Sequence, residues 1–249
     1  MCCFTDAVSV SNTSIFARDA GDGRQYLVYT MKVTSAAEVA MVLPIPVPRG
    51  TGEQAVTFID LSAYPLIFTD LFNAMGFMSR AASPKASPAP AAPVPLVVQQ
   101  VGAFEASFVP TIADFSRLDQ RFQLPAGTWE KLPAYRDYGF AVFKLKAGEQ
   151  KIHPMAFSFP RSDPSALFLP TVHIHDGAVH EQADFDHTLF AQTGERHLQG
   201  AEQWTESQGL AGRTVDIKRT AGIVDGDQHV YYRKLKGKLP NQDTIVKFG

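Results

Sequence analysis

The chain has 249 residues, a formal net charge of −2, 45% hydrophobic and 19% charged residues. These values are ordinary for a globular protein with a sizeable core, and they give no broad electrostatic case for nucleic acid. No run of 18 or more apolar residues occurs, which argues against a membrane-spanning helix.

The N-terminus reads Met-Cys-Cys-Phe-Thr-Asp and contains the only cysteines, Cys2 and Cys3. Neighbouring cysteines close no useful loop, so no disulfide framework is expected. The terminus lacks a basic region followed by an apolar one, so the expected location is cytoplasmic, or extracytoplasmic if a leader has been removed. Loss of Met1 would leave Cys2 with a free α-amine beside its thiol. That pair suits either a metal ligand or an N-terminal-cysteine (Ntn-type) nucleophile acting on an amide.

Strands are predicted at Val8–Phe16, Tyr26–Val33, Glu38–Leu43 and Ala55–Leu61, from apolar alternation between turn-rich stretches. The prolines of Pro44-Ile-Pro-Val-Pro48 should end the third strand or place it at a sheet edge. Tyr64–Met78 carries apolar residues at helical spacing, with Pro65 in the first turn, and predicts a helix. The Ala/Pro-rich stretch 79–95 reads as a loop or linker inside one domain spanning 1–249.

Beyond it, strands are predicted at Val97–Val101 and Phe104–Val109, and a helix at Thr111–Phe122 with Thr111 as N-cap. Further strands follow at Tyr138–Lys146, Ile152–Phe159, Leu167–His175, Ala178–Glu181, Thr188–Gln192, Thr214–Lys218 and His229–Arg233. A weak helix or loop spans Leu198–Leu210. The fold class expected is α+β, a mainly antiparallel β-sheet with two or three helices.

The segment Pro170-Thr-Val-His-Ile-His-Asp-Gly-Ala-Val-His180 carries the strongest chemical signal. Asp-Gly between apolar runs favours a two-residue hairpin turn. Pairing about Asp176-Gly177 puts His173 opposite His180. His173, His175 and His180 then share one face, and Val172, Ile174 and Val179 the other. Facing imidazoles suit zinc or copper. His187 is a candidate fourth ligand, with Cys2 and Cys3 as further ones, and Asp176, Asp184 and Asp186 as groups orienting the imidazoles. The leading expectation is a metal-binding protein, catalytic if an open coordination position activates water or dioxygen. The alternatives are the Ntn-type amide hydrolase and a non-enzymatic binding or structural module. Expected partners are a metal ion or small molecule.

His153 reads as a packed core residue, and His197 and His229 as surface groups. From Arg213 onward eight Lys/Arg face four Asp, with Arg233, Lys234, Lys236 and Lys238 clustered. This is a solvated strand face, or a patch for phosphate or an acidic partner. No phosphate-binding glycine loop, GxSxG or HExxH motif is present.

Several short pieces, in this order, resemble the DUF2330 family of uncharacterised bacterial proteins. They are Cys2-Cys3-Phe4, Val-Ser-Asn-Thr-Ser-Ile-Phe16, Tyr26-Leu-Val-Tyr29, Met41-Val-Leu-Pro-Ile-Pro-Val-Pro48 and Phe58-Ile-Asp-Leu61. Later ones are Val101-Gly-Ala-Phe-Glu105, Tyr138-Gly-Phe-Ala-Val-Phe-Lys144, His153-Pro-Met-Ala-Phe-Ser-Phe159 and Leu169-Pro-Thr171. The resemblance covers about residues 1–175. It implies an extracytoplasmic protein with cysteines at its mature start and transfers no catalytic residue.

Overall fold

Alternation of large apolar side chains decides where the strands lie and which way each face points. The computed structural model describes residues 2–77, 98–102, 104–125, 127–151, 153–175 and 178–249. The expected loop at 79–95 lies outside the described residues.

In chain order the strands are β1 (Cys2–Phe4), β2 (Ser9–Asp19), β3 (Arg24–Ser35), β4 (Val39–Ile45), β5 (Thr57–Asp60), β6 (Gln99–Val101), β7 (Phe104–Val109) and β8 (Gly139–Leu145). They continue with β9 (Gly148–Lys151), β10 (Met155–Pro160), β11 (Ala166–Leu169), β12 (His173–Ile174), β13 (Gln182–Gln192), β14 (Thr205–Glu206), β15 (Tyr231–Pro240) and β16 (Thr244–Lys247). Helix α1 (Ile67–Ala74) lies between β5 and β6, and the remaining helical residues form short 3-10 turns.

Two large sheets result. One has the order β12-β1-β4-β8-β7-β6, and the other β14-β15-β13-β2-β3-β10-β5, with β9 also on β3. Strands β11 and β16 form a small separate pair. Most pairings are antiparallel, but β1 runs parallel to β12 and β13 parallel to β2. The sheets are therefore mainly antiparallel, as expected, but mixed. A parallel neighbour needs a long crossover, and the contact between residues 14–18 and 188–192 is of that kind.

The core between the sheets draws on both. Phe4, Met41, Leu43, Phe104 and Phe143 from one meet Ile15, Leu27, Tyr29, Phe157 and Leu189 from the other. Truncating a fully buried aromatic such as Phe157 costs about 3–5 kcal/mol. The outer face of the seven-strand path (Phe16, Val28, Ala156, Phe190) is covered by Tyr64, Ile67 and Leu71 and by Ala211, Val215, Ile223 and Val230. The outer face of the other sheet (Val42, Phe140, Val142) is covered by Phe115, Leu132 and Tyr135.

Polar groups pin these covers. Arg18 donates from Nε to the Ile223 carbonyl (2.6 Å) and from Nη2 to that of Gly222 (2.5 Å). The Tyr64 hydroxyl donates to Asp70 (2.5 Å) and accepts the Asp216 N–H (2.9 Å). Burial and the Asp70 hydrogen bond raise the Tyr64 pKa well above that of a free phenol.

Four expected elements differ, the first being the strand expected at Leu167–His175, which is two strands, β11 and β12, in different sheets. Thr111–Phe122 forms 3-10 turns at Ile112–Arg117 and Gln120–Phe122. Its buried anchor, Phe115, docks by a single ring against Trp129 and Phe140. Thr214–Lys218 is part of the turn-rich cover over α1, where Val215 packs inward without a strand partner. Ala178–Glu181 is not a strand. Pro44 stays within β4, since β1 ends its pairing at Val42 and leaves Pro44 bonded on one side only.

Candidate functional site

Strand β12 holds His173 and runs parallel to β1, with Cys2 opposite His173 and Cys3 opposite Ile174. The apolar face reads as the sequence suggests: Val172 and Ile174 are buried in the outer core, with Val179 against it. The imidazole face points into the space between the sheets, where β13 brings up His187.

The His173 and His187 Nε2 atoms lie 2.8 Å apart. Their rings stack at 4.5 Å, His175 lies 4.7 Å from His173, and Phe185 and Phe4 close the remaining sides. His187 is fully buried. A 2.8 Å contact between ring nitrogens is a hydrogen bond in which one neutral imidazole donates and the other accepts. Two ligands of one tetrahedral zinc at ordinary bond lengths would stand about 3.3 Å apart. Burial lowers the His173 pKa to about 3, with repulsion from His175 adding to it. Burial and then the His173 charge hold His187 well below its ordinary value. Both rings are therefore neutral at physiological pH.

The expected metal hairpin is accordingly corrected. Asp176 and Gly177 lie outside the described residues, and His173 pairs with Cys2 and not with His180. His180 is exposed, and its backbone carbonyl accepts from Asn241. Cys3 is buried on the opposite face of the sheet, among Val42 and Ile174. Asp184 and Asp186 lie on β13 facing Lys238 and Lys236, and the Asp186 carboxylate accepts the Asn12 N–H (2.5 Å), so neither orients an imidazole. Among the described residues no group of three or more His, Cys, Asp or Glu is placed to hold a metal ion.

The residues that hold this segment were not legible as functional. Asn241 donates to the His173 carbonyl (2.9 Å) and accepts the His173 N–H (2.7 Å), taking the place of the missing hairpin partner. Asp243 accepts the N–H groups of Thr171 (2.8 Å) and Val172 (3.0 Å) and the Tyr135 hydroxyl (2.6 Å). Burial and the Asp243 charge push the Tyr135 pKa far upward.

His153 is half-buried against Phe104 (4.1 Å between rings), its pKa lowered by burial. Gly102 abuts it at φ +58°, where a Cβ would stand 2.6 Å from the His153 Nε2. A cleft of about 500 Å³ opens elsewhere, beside Arg18, Ile217, Val224, Asp225 and Asp227, and no histidine lines it. No helix among the described residues is long and apolar enough to cross a membrane.

No family model and no curated protein matches the chain. Solved structures do. The crystal structure of baculovirus P35 matches with a TM-score of 0.51 at 14% identity, covering 97% of each chain. The fold is similar to that of P35. A mutated baculovirus P35 after caspase cleavage gives 0.53 at 15% identity, over 96% of this chain and 100% of that one. P35 in a caspase-8/P35 complex gives 0.50 at 13% identity, over 96% of each chain. At these identities the likeness concerns the fold alone. The metal-binding expectation is overturned on this chain's own geometry: among the described residues no group of three or more His, Cys, Asp or Glu could hold an ion, and His173 and His187 hydrogen-bond to each other.

Proposed function

We propose that this chain is a non-enzymatic binding module whose partner is a protein, specifically a protease. The observation that carries the reading is the extent of the likeness to P35, nearly the whole of both chains, together with the caspase-8 complex and the caspase-cleaved form in which P35 has been solved. The interior of this chain is consistent with it. His187 and Cys3 are fully buried, and the His187 ring is hydrogen-bonded to that of His173. A partner of this class is a macromolecule and not the small molecule or metal ion that the histidines suggested.

The test uses the full chain with active caspase-8 and a panel of other cysteine and serine proteases. Size-exclusion chromatography reads complex formation, residual peptidase activity reads inhibition, and intact mass locates any cut. A one-to-one complex with loss of peptidase activity for at least one protease supports the proposal. Absence of complex, inhibition and discrete cleavage across the panel at about 10 μM, equivalent to binding weaker than about 7 kcal/mol, overturns it.

A further inference from the structure

Strand β15 forms the border of its sheet over most of its length. β13 pairs with it from Tyr231 to Pro240, whereas β14 covers only Tyr231 and Tyr232. Among the described residues no strand bonds to the outer side of Arg233–Pro240. Such an edge presents unpaired N–H and C=O groups to solvent.

The side chains on this edge have a pattern. Lys234, Lys236 and Lys238 share one face and are exposed, while Arg233, Leu235 and Gly237 are half-buried on the other. Asp186 and Asp184 stand opposite Lys236 and Lys238 one strand inward. No ion pair within 4.0 Å joins these lysines to either acid, and the Asp186 carboxylate accepts the Asn12 N–H instead. The lysines thus line the rim of the sheet with their charge outward. Gly237 lies within this run at φ +83°, and the register with β13 continues unbroken past it to Pro240.

We propose that the free edge of β15 is a docking site for an extended acidic segment of a partner protein, added as a further strand with its carboxylates over Lys234, Lys236 and Lys238. Addition of a strand to an exposed edge takes its affinity from main-chain hydrogen bonds and its specificity from alternate side chains. Residues opposite each other across such a ladder have Cβ atoms about 5 Å apart, so acidic residues at every second position would each meet a lysine. A second copy of this chain is disfavoured at the same place, because like charges would face each other. The inference stands on this edge alone and is independent of the protease reading.

The experiment is fluorescence anisotropy of the full chain with a fluorescein-labelled peptide of alternating glutamate and valine, about seven residues long to match a typical strand. Two controls accompany it: the same peptide N-methylated at alternate amides, and a single-stranded thymidine oligonucleotide. The expected result is saturable binding that N-methylation abolishes and that K234E/K236E/K238E weakens at least about tenfold, in line with charge pairing at an interface. Circular dichroism verifies that this variant is folded, and K234Q/K236Q/K238Q gives the same direction with less perturbation. No binding by the unaltered chain at about 1 mM, only some 4 kcal/mol, would overturn the proposal. So would equal binding of the N-methylated peptide, of the oligonucleotide, or to both lysine variants.

Discussion

Acidification should destabilise this protein through His173 and His187. The perturbation is a change from pH 7.5 to pH 5.0. In the unfolded chain each histidine titrates near 6.5. In the folded protein burial holds His173 at about 3 and His187 well below its ordinary value. Between these limits the unfolded state binds more protons, so stability is full above pH 6.5 and is lost as the pH falls toward 3. At pH 5.0 an imidazole that protonates only on unfolding costs about 2 kcal/mol, from the linkage relation with an unfolded pKa of 6.5. His187 is fully buried and takes the full amount. His173 is partly exposed, and solvent screening reduces its share to about 1 kcal/mol. The sum, about 3 kcal/mol, lowers a urea midpoint by about 1 M at a slope of about 3 kcal/mol/M. Fluorescence of Trp129 and Trp204, both packed against core clusters, reports the transition. The paired variant H173L/H187L removes both titrating groups and both ends of their hydrogen bond. Carboxylates and His175 are common to the two proteins and cancel. Its midpoint should shift by at least about 0.7 M less than the parent's, taking that same slope. Equal shifts in the two proteins would refute the account.

Other perturbations probe the packing around the site. Gln25 is fully buried, and its carboxamide bonds both the N–H and the carbonyl of Phe168 (2.9 and 2.7 Å). Gln25→Ala orphans two buried backbone groups and should cost about 3 kcal/mol in urea unfolding. A loss below about 0.5 kcal/mol would show that water replaces the amide. Asp243→Ala removes the acceptor shared by Thr171, Val172 and Tyr135 and should cost about 3 kcal/mol. Hydrogen exchange should then speed up at the Thr171 and Val172 amides before it does so in β3, and uniform exchange across the chain would argue against a local role.

Much of the sheet framework was legible because alternation is a local property. Phe104–Val109 and Tyr138–Lys146 declare their strands by period-two patterning, and β7 and β8 lie there. The two faces of the His173 segment were legible for the same reason, since Val172, Ile174 and Val179 do pack on one side. The partner of that segment was not. Asp176-Gly177 is a strong local turn signal, yet β12 pairs with β1, some 170 residues away, and Asn241 bonds to its backbone. Non-local pairing of this kind leaves no trace in spacing. His187 was named as a candidate but its setting was missed. Its position in the run Phe185, His187, Leu189, Ala191 places it on the inward face of a strand, where an imidazole is buried and neutral.

The parallel contact between β2 and β13 has a consequence for the order of assembly. Residues 14–18 must wait for residues 188–192 before their sheet can close, and β15 follows later still. Chains dominated by such distant pairings fold slowly, and the hydrophobic strands made first stay unprotected while the rest is synthesised. A nascent chain of this protein therefore emerges with the edge of β2 bare, so it should engage chaperones during translation more than a protein whose neighbours in sequence are also neighbours in the sheet.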